Sequence, residues 1–191
     1  MNLDGHSIVD ADTMLRVTDR TLGDVIEHAL GTAPELKVVS QSVADPPHPG
    51  WAVPPLGAGS RLLVRRTSYR FGALTLSRNL ACVDLDRVPA PIAADLSAER
   101  LNLGELFRSD AIRKSAFRFE VPGQVDRSLH EGYPDDGPAF DPCVSRRYEA
   151  TFDDRISFVV VESLPRTAWS ALLGSSADRD RMMASAHPGA A

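Results

Sequence analysis

The apolar positions along the chain fall into two rhythms. Leu22, Val25, Ile26, Ala29 and Leu30 recur at the three-and-four spacing of a helix with one oily face. Thr21 is placed to cap its start, Asp24 three residues on makes a weak form of capping box, and Gly31 is placed to end it in a left-handed cap. Elsewhere the apolar runs are short and rich in β-branched residues. Leu36 to Val43, Ser60 to Tyr69, Ala73 to Leu85, Ile112 to Val121, Val144 to Phe152 and Ile156 to Leu164 read as strands. The links Arg70-Phe71-Gly72 and Asp153-Asp154-Arg155 are short enough to make hairpins of two strand pairs.

Between these elements the chain is punctuated by turn formers. Asp45 to Gly50 holds three prolines, which fix φ and remove donors, so it must be a loop. Ile92 to Leu96 reads as a short helix after Pro89 and Pro91, and Leu103 to Phe107 as a turn or a single helical turn. Residues 122–142 are rich in Pro, Gly and Asp and lack a hydrophobic period. A loop of that length is expected to be a lid, a binding loop or disordered. Thr167 to Leu173 reads as a short closing helix. We therefore expect a loose lead-in over residues 1–15, one domain over 16–173 and a disordered tail over 174–191.

A helix, then strands, then a short helix and more strands in hairpins is the order of an α+β domain with a mainly antiparallel sheet. It is not the βαβ alternation of a nucleotide-binding fold. No glycine-rich phosphate loop supports ATP or a dinucleotide.

Composition narrows the function classes. With 191 residues, 43% hydrophobic and 25% charged, the chain can bury a core of its own. Its net charge of −5 and lack of a Lys/Arg block argue against nucleic acid as the main partner. No apolar run is long enough for a membrane span, and the first residues, Met1 to His6, show no basic stretch leading into an apolar core. A cytoplasmic location is the expectation. The five histidines are scattered, so no metal site is expected. Cys82 and Cys143 read as part-buried thiols rather than a disulfide. No Gly-x-Ser-x-Gly elbow or catalytic triad stands out.

The informative chemistry is charge inside strands. Arg61, Leu63, Arg65 and Thr67 share one face of their strand, while Leu62, Val64, Arg66 and Ser68 share the other. Arg78 stands inside an apolar strand, and Arg146 and Arg147 open another. Glu162 directly follows the apolar run Phe158 to Val161. A carboxylate there is costly to bury unpaired. It reads either as half of an ion pair with an arginine or as a polar group of a pocket in which an arginine binds a substrate carboxylate.

Five segments, taken in order, resemble the motifs of the chorismate pyruvate-lyase family: Ser60 to Arg66, Leu76 to Leu80, Leu101 to Phe107, Ser145 to Tyr148, and Val161 to Pro165. Thr18 to Leu22 is similar to the start of the family's 4-hydroxybenzoate-forming actinobacterial branch, and the resemblance spans roughly residues 16–172. It implies a chorismate lyase-like fold: six mainly antiparallel strands, flanking helices and an internal pocket. The implied activity is a lyase that converts chorismate to pyruvate and 4-hydroxybenzoate without a metal or an organic cofactor. On this resemblance Arg65 binds a substrate carboxylate and Glu162 is the active-site glutamate, polarising or protonating the leaving enolpyruvyl group. Leu103 and Thr21 fall on backbone ligand contacts, and Arg78 and Arg147 on recurring family arginines with substrate-binding or structural roles.

Two features depart from the family's pattern. Ser145 stands where the family usually has glycine, and residues 122–142 are unusually acidic. They leave room for a same-fold enzyme of secondary metabolism acting on another carboxylate, or for a non-catalytic module that binds a small acid. In each case the expected partner is a small-molecule carboxylate.

Overall fold

The computed structural model describes residues 20–45, 55–109, 111–120, 133, 142–166 and 168. Helix α1 (Leu22–Leu30) leads into β1 (Glu35–Ala44), then β2 (Leu62–Phe71) and β3 (Leu74–Asp84). Two short helices follow, α2 (Ala90–Ser97) and α3 (Leu103–Leu106), before β4 (Ile112–Glu120), β5 (Pro142–Phe152) and β6 (Arg155–Pro165). The six strands form one sheet in the order β1-β2-β3-β6-β5-β4, and every neighbouring pair is antiparallel. The fold is therefore the α+β class read from the sequence, and the strand limits differ from those expected by at most three residues. No described helix is long and apolar enough to cross a membrane.

Local chemistry accounts for the turns. The Thr21 side chain accepts from the Asp24 amide at 3.2 Å, and the Thr21 amide donates to Asp24 Oδ2 at 3.1 Å, closing a reciprocal capping box. Gly31 ends α1 at φ +70°, where a side chain would be strained. The β2–β3 link is tighter than expected: both strands run up to a two-residue turn at residues 72 and 73. Gly72 takes the positive φ that a turn matching the sheet's twist demands. At the β5–β6 turn Asp153 and Asp154 both take positive φ. Aspartate tolerates this better than most residues because its short side chain bonds locally.

The sheet has two unlike faces. On the inner one, Leu63, Ala81, Val83, Phe158, Val160, Tyr148 and Ala150 pack against Leu96, Leu106 and Phe107 from the α2–α3 segment. On the outer one, Leu62, Val64, Leu80, Cys82, Val159 and Val161 gather around Leu56. Helix α1 seals the sheet's far end, with Leu22 and Ile26 against Leu76, Val144 and Leu164.

Residues 121–141 lie outside the described set apart from Tyr133, so the expected lid or binding loop is not placed. The expected helix at Thr167 to Leu173 is described only at Ala168, which is buried. Cys82 is a buried free thiol, whereas the side chain of Cys143 lies outside the described set.

Candidate functional site

Register brings the polar residues of the inner face into two adjacent rows. One row runs Thr67, Asn79, Glu162, Arg146 across β2, β3, β6 and β5. The next runs Gln41, Arg65, Ala81, Val160, Tyr148 across β1, β2, β3, β6 and β5. Over these rows lie the start of α1 and the segment entering α3. Between sheet and helices is a narrow cavity with an interior volume of about 50 Å³. The sheet contributes Arg65, Thr67, Tyr69, Asn79, Tyr148 and Glu162 to its lining, and the covering segments contribute Thr21, Asn102, Leu103, Gly104 and Phe107.

The structure thus brings Arg65, Glu162, Leu103 and Thr21 to one cavity. Arg78 and Arg147 are not with them. They alternate with inner-face neighbours and stand on the opposite side of the sheet, Arg78 across from Ser163 and Arg147 across from Val161. The Arg78 guanidinium lies 4.9 Å from the centre of the Tyr133 ring. Ser145 shares that outer side, where its hydroxyl meets that of Ser163 at 2.5 Å. The departure from glycine at 145 therefore faces away from the cavity.

Arg65 is 2% exposed, and its donors are largely engaged. Nη2 donates to the carbonyl of Leu96 at 2.5 Å, Nη1 to that of Leu101 at 2.9 Å, and Nε to Gln41 Oε1. Gln41, its cross-strand partner, donates in turn to the carbonyls of Leu96 and Ser97 at 3.1 and 2.9 Å. Together they close the carboxyl end of α2, where unsatisfied carbonyls and the helix dipole favour a cation. Arg65 makes no ion pair among the described residues. Burial pulls its pKa below the ordinary arginine value, and the exposed carboxylate of Glu99 offsets only part of that. A guanidinium has five N–H donors, so three bonds leave two uncommitted.

Glu162 is differently placed. It accepts from Arg146 Nε and, at 3.3 Å, from the Tyr148 hydroxyl. Both partners are about 1% exposed. Burial lowers the Arg146 pKa, but the Glu162 carboxylate, with Tyr148 and Tyr69, outweighs it and the net shift is upward. Burial, reinforced by Glu162, pushes the Tyr148 phenol well above its usual range, so it stays a donor. The ring is held by Phe117, stacked at 5.1 Å, and by Phe107, edge-on at 6.1 Å.

Sequence reasoning missed Tyr69, Asn79, Arg146 and Tyr148 as cavity-side polar groups. Tyr69 is pushed up to about 12, chiefly by burial and also by Glu162. Its hydroxyl sits against α1, since an ideal Cβ on Gly23 would lie 2.7 Å from it. The β alternation, carried along the strand from Arg65, could have found Tyr69; the other three depend on strand pairing.

Neither a protein-family model nor a curated protein matches the chain, so the motif resemblance to chorismate pyruvate-lyases has no support from either comparison. Among solved structures, the chain is similar to a GntR-family transcriptional regulator from Enterococcus faecalis V583, at 12% identity over 70% of this chain and 95% of that one, with a TM-score of 0.48. It is similar to PhnF from Mycobacterium smegmatis at 13% identity over 76% of this chain and 64% of that one, TM-score 0.48. It is also similar to the C-terminal domain of the histidine utilization repressor from Pseudomonas syringae pv. tomato, at 12% identity over 70% and 92%, TM-score 0.45.

Proposed function

We propose that this domain binds a small carboxylate-bearing molecule in the inner-face cavity, with Arg65 taking the carboxylate. One observation carries the reading. Of the two guanidiniums buried on the inner face among the described residues, Arg146 has a carboxylate partner in Glu162, and Arg65 has none among those residues. A buried cation that lines a cavity, with only carbonyl dipoles and an amide for company, is stabilised by an anion there. The uncommitted donors suit the two oxygens of a carboxylate. The narrow cavity, walled by Phe107, Tyr69 and Tyr148, has no room for a nucleotide.

Binding without turnover is the simpler form of this function, because both Glu162 oxygens are engaged by protein donors, Arg146 and Tyr148. A lyase acting on chorismate is the second reading. Glu162 lines the same cavity as Arg65, as that chemistry requires. Titrating the protein with benzoate and 4-hydroxybenzoate by calorimetry tests the first reading. Saturable binding that Arg65→Met weakens at least about tenfold supports it. Binding that is absent, or indifferent to Arg65, overturns it. Incubation with chorismate, following pyruvate and 4-hydroxybenzoate together, separates the two readings.

A further inference from the structure

Asn79 stands on the same row as the Arg146–Glu162 pair, directly across from Glu162, and among the described residues its side chain bonds to neither charge. Its side chain is 7% exposed and lines the cavity. Nδ2 donates to Thr67 Oγ1 at 3.4 Å. Among the described residues, the buried Oδ1 has no hydrogen-bond partner. Buried amide oxygens are rarely left so, because each forfeits its hydration without replacement.

Its two immediate neighbours on the row, Thr67 and Glu162, are acceptors in their side-chain hydrogen bonds. Thr67 is the acceptor of the amide's own donor. Glu162, directly across the strand boundary, accepts from Arg146 and Tyr148. The Tyr148 hydroxyl is already given to Glu162. The cavity that Asn79 lines is open to a donor from a bound molecule.

Asn79 and Arg65 also stand in a fixed relation. Arg65 lies directly across from Ala81, so Asn79 is its diagonal neighbour on the same face. Such positions are roughly 7–8 Å apart on the sheet, and both side chains line the one cavity.

The structure assigns Asn79 as a specificity-determining residue. It selects, among small carboxylates held at Arg65, those that carry a hydrogen-bond donor, a hydroxyl or an amino group, on the far edge of the molecule. This rests on the carboxylate-binding reading and adds to it a demand on the other end of the ligand. A donor-bearing ligand edge satisfies Oδ1, whereas an apolar edge leaves it bare.

The test uses ring carboxylates matched in size. Affinities of benzoates bearing a methyl, amino or hydroxyl group at the 3 or 4 position are measured by calorimetry on the full chain and on its Asn79→Leu and Asn79→Ala variants. For the unaltered protein the amino or hydroxyl compound at one position binds roughly tenfold or more tightly than its methyl counterpart. In Asn79→Leu that preference falls to about one, and the methyl compound binds within a few-fold of its original affinity. Asn79→Leu also melts at a higher temperature than the unaltered protein in the absence of ligand, an outcome that a purely structural asparagine would reverse. A preference absent from the unaltered protein, or one that persists in Asn79→Leu and Asn79→Ala, overturns the role of Asn79 while leaving carboxylate binding in place. Failure of every benzoate, methyl compounds included, to bind the unaltered protein removes both.

Discussion

Arg146 and Glu162 face each other across β5 and β6, and the guanidinium donates to the carboxylate within the protein interior. Two formal charges on neighbouring strands are thereby removed from water together. The pair sits beside the cavity, so it fixes where Glu162 presents its oxygens and it neutralises them.

Removal of one partner leaves the other buried and uncompensated. Glu162→Leu and Arg146→Met are each expected to destabilise the fold by roughly 3–5 kcal/mol, whereas the double replacement costs far less than their sum. Urea unfolding of the four proteins measures the coupling. Additive single effects would show that the pair does not act as a unit.

Arg65 joins two functions that mutation can separate. Gln41→Leu removes the amide that bonds to Leu96 and Ser97 but keeps the cation. It is expected to loosen α2, at a cost of about 1–2 kcal/mol, and to leave ring-carboxylate affinity within a few-fold. Arg65→Met is expected to lose both. Equal losses of binding in the two variants would mean that Arg65 acts only by closing the helix.

The start of α1 is held by a close approach. A Cβ at Gly23 would meet the Tyr69 hydroxyl at 2.7 Å, while one at Gly104 would lie 3.7 Å from the same atom. Gly23→Ala is therefore expected to destabilise the protein by about 1–3 kcal/mol, and Gly104→Ala by distinctly less. Tyr69→Phe removes the offending oxygen and should return part of the Gly23→Ala loss, read from melting temperatures. Gly23→Ala with no effect on melting would place the ring elsewhere.

Alkaline conditions should weaken the fold over a defined range. Burial raises the Cys82 thiol from 9.0 to about 12, with Arg66 offsetting a little, and the Tyr69 phenol from 10.0 to about 12. Both groups are held neutral in the folded state and ionise more readily when unfolded. Their contribution is fully present below pH 9 and is lost as pH rises towards 12. Cys82→Ala should flatten the part of the decline that begins near pH 9. Native Cys82 should also react with a thiol reagent at pH 8 only as fast as the protein opens. Prompt reaction without unfolding would contradict its burial.

Much of the fold was legible from residue patterns. Thr21, Asp24 and Gly31 announced both ends of α1 through bonding and backbone preferences that act within a few residues. The alternation in β2 put Leu63 and Arg65 on one face and Leu62 and Val64 on the other, as the two clusters bear out. The β2–β3 turn was read one to two residues early, because Arg70 and Phe71 continue the ladder to Thr75 and Leu74. Only a partner strand reveals that.

The candidate site was legible in part. Arg65 and Glu162 stood out as charges on apolar strands, and both line the cavity. That Glu162 would choose Arg146 over Arg147 was not legible. The two arginines are adjacent, so they point to opposite faces, and a one-residue change of register would exchange them. Likewise Asn79 looked like an ordinary strand residue until Thr67 and Glu162 were placed on either side of it.

The chain by itself determined its element types, its capped first helix and the presence of charge within apolar strands, because these follow from contacts between near neighbours. The tertiary structure decided which charges are neutralised and which polar atoms are left open. Those outcomes depend on residues 16 to 36 positions apart meeting across strands and beneath α2. No local preference encodes that meeting; only the pairing of the whole sheet brings it about.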